Sequence, residues 1–211
     1  MRWEELLNRF AGQPLFHTSH LGIFPDPSRN ILVQLSRWVK AGKLVQIRRG
    51  WYLIDKPYRT KEISEAAIAN AVVHPSYLSL EWALQFHGMI PEAAFHPTSI
   101  TTRRGIQFES LGHIFLYHHV SPVLFRGYTE AVLAGEKIIV AGPEKALLDH
   151  VYLFSLRRSF STLWLESLRL QNLDRFDLEE FGRLGAFVRK AGFAAVVDVT
   201  IKFIKEINSK P

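Results

Sequence analysis

The stretch SRNILVQLSRWVKAGKLVQIRRGWYLI, residues 28–54, carries the strongest structural signal in the chain. Its first half has apolar residues at the spacing of an amphipathic helix. These residues are Ile31, Leu32, Leu35, Trp38 and Val39. Ser28 is the expected N-cap after Pro27, and Gly42 is the expected stop because glycine tolerates left-handed dihedral angles. The stretch therefore predicts a helix that begins at Ser28 and ends before Gly42.

A tight hairpin is predicted directly after this helix. Its first strand covers residues 44–48, with Ile47 on one face and Arg48 on the other. Arg49-Gly50 forms the turn, and residues 51–54 return as a second strand. A helix followed by a basic-tipped hairpin is typical of a recognition helix and its wing, which together read DNA. The alternative is an ordinary amphipathic helix whose polar face is only solvated.

The distribution of charge favours the DNA-reading interpretation. Residues 1–61 hold 11 Lys and Arg against 4 Asp and Glu, a net charge of +7. Residues 62–211 hold 15 against 16, a net charge of −1. The whole basic excess therefore lies in the segment with the helix and hairpin. Since basic groups that neutralise phosphates release condensed counterions, this segment is expected to bind nucleic acid.

Two more short helices complete the predicted N-terminal domain, residues 1–57. The first covers residues 2–10, and the second begins near Thr18-Ser19, either of which can cap it, and runs towards Phe24. Three helices and a hairpin make a winged helix-turn-helix domain. The residues expected to contact DNA are Thr18, Ser19, Ser28, Arg29, Asn30, Gln34, Arg37, Lys40, Lys43, Arg48 and Arg49.

These residues are expected to differ in what they contact. The first residues of a recognition helix reach base edges, which applies here to Ser28, Arg29, Asn30 and Gln34. Arg48 and Arg49 at the wing suit backbone phosphate or the minor groove. Arg37, Lys40 and Lys43 lie further along the chain. Trp38 and Trp51 are expected to pack in the core rather than stack on bases, because each buries a large apolar area.

Residues 62–211 predict a second, mixed α+β domain after a short linker at residues 56–60. We expect its strands to form an antiparallel sheet, and its C-terminal part to be helical. The expected strands are residues 98–102, 106–109, 113–120 and 137–141. The expected helices are residues 62–73, 80–88, 143–154, 162–173, 177–190 and 194–207. Ser79 is the expected N-cap of the second of these helices. The predicted fold class is thus α+β, with a winged helix-turn-helix domain first.

Several classes of protein are disfavoured by composition. The chain has no cysteine, so it forms neither disulfides nor zinc–thiolate sites. No run approaches the roughly 18 apolar residues of a membrane span, and the first residues lack the apolar core of a signal peptide. We therefore expect a cytoplasmic protein without membrane contact.

The residues do not assemble a recognisable catalytic motif, so we expect no enzyme, metal or cofactor. Adjacent His118 and His119 point to opposite faces of their strand. Glu144 and Asp149 lie about 140° apart around their helix, whereas Lys145 and Asp149 are neighbours that form an ordinary pair. An enzyme or RNA-acting protein remains the alternative.

Five blocks resemble the AbiEi family, which comprises antitoxins and transcriptional regulators of type IV toxin–antitoxin systems in abortive infection. The resemblance spans roughly residues 15–155. The blocks, in order, are GKLVQIRRGWYLI, YLSLEWALQFHGMIPE, TSITTRRGIQF, HIFLYHHV and IIVAGPEKALLDHVYL. Several blocks in the family's order are far more specific than any single motif.

The resemblance implies a regulator that binds inverted repeats of double-stranded DNA in its own promoter. It also implies a C-terminal domain that opposes a toxin of nucleotidyltransferase type without a stable direct complex. The blocks at residues 77–81 and 143–149 are hallmarks of that domain in the family. Relatives also act as stand-alone regulators. The sequence leaves the operator, the toxin and the oligomeric state open, including a monomer that binds DNA cooperatively.

Overall fold

The predicted amphipathic helix forms, as helix Ser28–Lys40, in a computed structural model that describes residues 1–10, 12–157 and 160–209. Residue 11, residues 158–159 and residues 210–211, which fall inside the two predicted domains, lie outside the described residues. Gly42 ends the helix with φ at +66°. The Lys43 amide donates to the Trp38 carbonyl at 2.9 Å, which is the bond of a Schellman cap.

Two details of this helix differ from prediction. The N-cap residue is Pro27, and no side chain makes a capping hydrogen bond, so Ser28 is the first helical residue rather than the cap. Leu32 was expected in the apolar stripe but is 53% exposed. The reason is angular, because Leu32 follows Ile31 by about 100° and so turns away from the buried side.

The N-terminal part of the chain contains a three-stranded antiparallel sheet with strand order β1-β3-β2. Its elements are α1 (Trp3–Phe10), β1 (Leu15–His17), a 3-10 helix (Thr18–Ile23), α2 (Ser28–Lys40), β2 (Leu44–Arg48) and β3 (Trp51–Ile54). The sequence did not predict β1, which has only 3 residues. Neither Thr18 nor Ser19 caps the 3-10 helix. The cap is His17, whose ring accepts from the Ser19 amide at 3.2 Å.

A bulge in β2 changes the direction of one arginine. Gln46 pairs with Tyr52 and Arg48 pairs with Trp51, so Ile47 is an extra residue on the β2 side. A bulge of this kind places two successive residues opposite one and re-aims a side chain. The predicted strict alternation, with Ile47 and Arg48 on opposite faces, is therefore wrong.

The small sheet is packed on both faces. One face joins α1 and α2 in a hydrophobic cluster that includes Leu35 and Tyr52. The other face contributes Leu15, Ile47 and Leu53 to the large core formed by the C-terminal part. The two parts of the chain therefore share one core. Between them lies a 3-10 helix at Lys56–Tyr58, in the predicted linker.

The C-terminal part contains a six-stranded sheet of order β6-β7-β5-β4-β9-β8. Its elements up to the sheet's last strand are α3 (Glu65–Val72), β4 (Ser76–Leu78), α4 (Leu80–Phe86), β5 (Thr98–Thr101), β6 (Ile106–Ser110), β7 (His113–His119), a 3-10 helix (Pro122–Leu124), β8 (Tyr128–Leu133) and β9 (Glu136–Ala141). Residues 62–64 were expected in a helix, but α3 starts only after Ser64, whose side chain caps it.

The sheet is mixed rather than antiparallel as expected. β5 pairs with β7 in parallel, and β4 pairs with β9 in parallel. The hairpin partner of β7 is β6, which lies at the sheet edge, so β7 reaches β5 only after the chain has passed through β6. Strand periodicity reports the faces of a strand and not the direction of its neighbours, which is why the sequence did not predict these pairs.

The remaining elements are helical, as predicted. They are α5 (Pro143–Arg157), α6 (Thr162–Ser167), a 3-10 helix (Leu173–Arg175), α7 (Leu178–Gly185) and α8 (Phe193–Asn208). The helices expected over residues 143–154 and 194–207 are slightly longer than predicted, and the other two are shorter. The helix expected over residues 162–173 stops at Ser167 because Arg169 and Asn172 adopt left-handed φ angles of +52° and +54°. The helix expected over residues 177–190 ends at Gly185. Asp177 caps its N-terminus, since the Asp177 side chain accepts from the amides of Glu179 and Glu180.

Candidate nucleic-acid interface

The outward side of α2 is basic. Because one side of this helix is held against the core, a rotation of about 100° per residue turns Arg29, Ser36 and Lys40 away from the protein. All three side chains are exposed, and so is that of Arg37. The cations Arg29, Arg37 and Lys40 pair with no carboxylate among the described residues. The helix therefore presents three free positive charges to solvent.

Two exposed residues of α2 were missed by sequence reasoning. Val33 is 45% exposed and lies between Arg29 and Lys40 on the outward side. An apolar side chain in this position can contact the methyl group of thymine. Ser36 was missed as well. Val33 follows Arg29 by four residues and Ser36 follows it by seven. Residues at these spacings share one face of a helix, so the spacing could have identified both.

The other residues expected to touch bases lie at the start and the flank of α2. Ser28 and Asn30 are exposed at the N-terminal turn. Gln34 is half-buried, because its helical angle brings it towards the packed side. Gln34 is thus less accessible than Arg29, which the sequence pattern alone did not distinguish.

Thr18 and Ser19 lie beside the hairpin turn rather than on α2. The Thr18 amide donates to the Gly50 carbonyl at 2.8 Å. The Ser19 hydroxyl lies 2.9 Å from Nδ1 of His17, whose ring caps the 3-10 helix. The first contact fastens the start of the 3-10 helix to the turn through the Thr18 backbone, and the second gives the Ser19 side chain a structural function in the cap.

Lys43 is turned towards aromatic rings. Its Nζ lies 5.1 Å from the centre of the Trp3 ring and 5.9 Å from the centre of the Tyr58 ring. The side chain is half-buried there. A cation placed over aromatic faces is held by their electrostatic quadrupole, so Lys43 is less free for phosphate than the exposed cations of α2.

The two arginines of the β2–β3 hairpin have different surroundings. Arg49 is exposed at the hairpin tip, next to Gly50 with φ at +83°. Arg48 is half-buried, and its guanidinium carbon lies 5.8 Å from the centre of the Phe108 ring in the C-terminal part. The structure therefore brings Arg49 and the α2 cations to solvent, whereas Arg48 faces a cleft inside the molecule.

The C-terminal part contains a buried polar network that joins the sequence blocks YLSLEWALQFHGMIPE and IIVAGPEKALLDHVYL. The Asp149 carboxylate accepts from Lys145 Nζ at 2.6 Å, from Ser79 Oγ at 2.8 Å and from the Tyr77 hydroxyl at 3.0 Å. All four residues are at most 2% exposed. The predicted pair of Lys145 and Asp149 is thus present, but it is buried rather than an ordinary surface pair.

The network is closed to solvent, which argues against chemistry on a substrate. Burial raises the pKa of Asp149, and the Lys145 ammonium opposes that rise. Burial also raises the pKa of Tyr77, with the Asp149 charge adding to it. Ser79, which was expected to cap α4, occupies the N-cap position, but its hydroxyl donates to Asp149 and makes no capping hydrogen bond. The network holds α5 to β4 and to the start of α4.

His150 and Glu81 form a second polar pair near the surface of the C-terminal part. His150 Nδ1 lies 3.5 Å from a Glu81 oxygen, and the His150 ring stacks at 5.2 Å on Trp164. Burial lowers the pKa of His150. Glu144 is engaged elsewhere, since it accepts from the Asp177 amide at 2.9 Å and does not converge with Asp149.

Neither a metal centre nor a membrane segment is found in the part of the chain that the structure describes. No group of three or more His, Asp and Glu side chains is placed to hold a metal ion there. Each helix in the same residues is too short or too polar to cross a membrane. Comparison with known proteins assigns no family, because no family model and no curated protein matches this chain.

Proposed function

We propose that this protein is a sequence-specific DNA-binding transcriptional regulator whose residues 1–57 act as a winged helix-turn-helix domain. The observation that carries the proposal is the outward side of α2, where Arg29, Arg37 and Lys40 are exposed and have no carboxylate partner among the described residues. Such a surface is suited to DNA, because its cations can replace condensed counterions along the phosphates.

The order of elements supports this role for α2. A 13-residue helix is followed at once by the β2–β3 hairpin, and β1 completes the small sheet beside that hairpin. In the proposed complex, α2 enters the major groove with Arg29 and Asn30 near base edges. Arg49 at the hairpin tip contacts phosphate or the minor groove.

The proposed target is an inverted repeat in the promoter of the protein's own gene, and the proposed outcome is repression. This part rests on the resemblance to the AbiEi family, which also implies an antitoxin function for the C-terminal part against a nucleotidyltransferase-type toxin. The buried contact of Tyr77 and Ser79 with Asp149 joins two of the blocks that carry this resemblance. A stand-alone regulator would use the same DNA-binding surface.

A mobility-shift titration tests the proposal. The probe is the DNA directly upstream of the gene, and scrambled DNA and a matched RNA are the competitors. We expect promoter binding that outlasts at least a ~10³-fold excess of scrambled DNA, as sequence-specific binders show. If an equal amount of scrambled DNA or of the RNA displaced the promoter probe, the result would contradict a sequence-specific DNA regulator.

A further inference from the structure

A cleft of about 1140 Å³ opens between the small sheet and the C-terminal part. One wall is formed by His17, Arg48 and Trp51, and the facing wall includes His74, Arg103 and Arg104. None of the described residues that line it is acidic. The cleft is somewhat larger than the roughly 300–1,000 Å³ of typical small-molecule sites, so it has room for a small molecule. Its charged side chains among the described residues are arginines.

Three arginines converge on this cleft. Arg48, Arg103 and Arg104 pair with no carboxylate among the described residues. Arg103 is oriented, because its Nε donates to the His74 carbonyl. Arg48 reaches the cleft because of the β2 bulge, which places it on the same side as Ile47. Planar guanidinium groups bind phosphate oxygens in pairs, so these three groups can hold a multiply charged phosphate ligand.

An aromatic wall adjoins the arginines. The half-buried Trp51 ring lies 5.1 Å from the His17 ring and 6.3 Å from the His20 ring. Ile106 and Val72 add apolar surface on the other side of the cleft. A heterocyclic base can stack on an indole or imidazole face next to bound phosphates. The cleft thus combines the two kinds of group that recognise a nucleotide.

The cleft does not lie on the side of the protein that α2 offers to DNA. It opens on the sheet face that carries Leu15, Ile47 and Leu53, whereas α2 packs on the opposite face. A duplex seated on the outward side of α2 is separated from the cleft by the small sheet. The phosphates that fit this cleft therefore belong to a separate ligand.

We propose that this cleft binds a small ligand in which phosphate groups adjoin a heterocyclic base, the chemistry of a nucleoside triphosphate. Arg48, Arg103 and Arg104 hold the phosphates, and Trp51 stacks on the base. The inference does not depend on the proposed DNA binding, since the ligand is bound by the free protein.

Isothermal titration calorimetry of the full chain without DNA tests the inference. The probes are ATP, GTP, CTP and UTP, with inorganic triphosphate and adenosine as the two halves of the ligand. We expect at least one nucleoside triphosphate to bind tighter than either half. Arg103→Ala and Arg104→Ala are each expected to weaken that binding about tenfold, the effect of losing one charge-assisted hydrogen bond.

The matched control is Arg126→Ala. Arg126 lies outside the cleft, and its Nε donates to the Val123 carbonyl in the way that Arg103 donates to His74. We expect this variant to bind the nucleotide as the unchanged protein does. Trp51→Leu is expected to weaken nucleotide binding but to leave triphosphate binding unchanged. Circular dichroism of each variant verifies that it is folded.

Three outcomes would overturn the inference. The first is that none of the four nucleoside triphosphates binds the folded protein. The second is that triphosphate binds as tightly as every nucleotide, which would leave no function for the aromatic wall. The third is that a DNA duplex displaces the nucleotide while Arg103→Ala weakens duplex binding to the same degree, which would make the cleft part of the DNA surface.

Discussion

At the level of single residues, Arg29 is the side chain on which the proposed sequence-specific DNA contact most depends. It is exposed at the first turn of α2 and pairs with no carboxylate in the part of the chain that the structure describes. Gln34 was expected to act beside it, but it is half-buried. A long, free guanidinium can reach guanine in the major groove, whereas a partly packed amide has less reach.

Arg29→Ala is therefore expected to lose discrimination at one or two base positions of the operator. The expected cost is about 1–3 kcal/mol for the preferred sequence, the value of a bidentate base contact. Gln34→Ala is expected to have the smaller effect. Mobility-shift titrations against a set of single-base operator variants measure both. An equal loss on every operator variant would contradict a base contact by Arg29.

The buried Asp149 makes the second prediction at this scale. Asp149→Ala leaves the Lys145 ammonium without a partner at 2% exposure. We expect a loss of about 3–5 kcal/mol in the free energy of unfolding, the cost of an unpaired buried charge. Urea denaturation measures it. The double variant Lys145→Met and Asp149→Leu should lose less, because it removes both charges.

Glu130→Ala is the control for Asp149→Ala. It removes an ion pair of similar length, 2.8 Å from Lys137 Nζ, but on the surface, where both side chains are at least half-exposed. Surface pairs add little to stability, so no measurable loss is expected. Equal stability of the two single variants would show that the Asp149 network is not important for the fold.

At the level of elements, the β2–β3 hairpin decides which arginine meets which partner. The bulge at Ile47 turns Arg48 into the cleft, and the turn leaves Arg49 in solvent. Two adjacent residues of the same type are thereby given different surroundings. Their sequence neighbourhood is the same, so only the pairing of the strands separates them.

Arg49→Ala and Arg48→Ala are expected to have different effects. Arg49→Ala should weaken DNA binding on all sequences alike and lower the slope of log affinity against log salt by about one unit, the effect of one lost phosphate contact. Arg48→Ala should leave DNA affinity unchanged. Mobility shifts at several salt concentrations measure both. A loss of DNA affinity in both variants would contradict the separation that the bulge creates.

The turn of the same hairpin requires glycine. Gly50 has φ at +83°, and a Cβ atom there would lie 2.6 Å from His17 Nε2. Moving the His17 ring would break the cap of the 3-10 helix. Gly50→Ala is therefore expected to cost about 1–2 kcal/mol in left-handed strain and more from the clash.

Gly112→Ala is the matched control for this substitution. Gly112 has φ at +77° with nothing within 4 Å of the added Cβ. Alanine at this position would therefore have left-handed backbone strain but no steric clash. We expect Gly50→Ala to lower the midpoint of thermal unfolding more than Gly112→Ala does. The reverse order would contradict the close contact between His17 and the turn.

At the level of the whole molecule, the two parts of the chain share a core. Leu15, Ile47 and Leu53 come from the small sheet but are buried, at 7%, 3% and 1% exposure, among residues of the C-terminal part. The predicted division at residues 57–62 therefore crosses a packed surface rather than an open linker. Burial of this kind couples the stability of the two parts.

We accordingly expect the full chain to unfold in one cooperative transition. Ile47→Ala should lower its midpoint, since removing a buried side chain of this size costs about 2–5 kcal/mol. Urea denaturation followed by tryptophan fluorescence and by circular dichroism measures it, because tryptophans lie in both parts. Two separate transitions, with Ile47→Ala changing only the first, would show that the parts are independent.

The sequence by itself determined the features that depend on neighbouring residues. The helix over residues 28–40, the hairpin after it and the caps at Gly42 and Asp177 all follow from local spacing and dihedral preference. The concentration of positive charge in residues 1–61 is likewise a property of the chain alone.

Only the tertiary structure decided the features that depend on distant residues. The partners of β4 and β5, the burial of Lys145 with Asp149, and the cleft that faces Arg48 each join segments far apart in the chain. Periodicity along the chain reports which face of an element is apolar, but not what packs against that face. Residues that share a pattern, such as Arg48 and Arg49, therefore acquire different surroundings only when the chain folds.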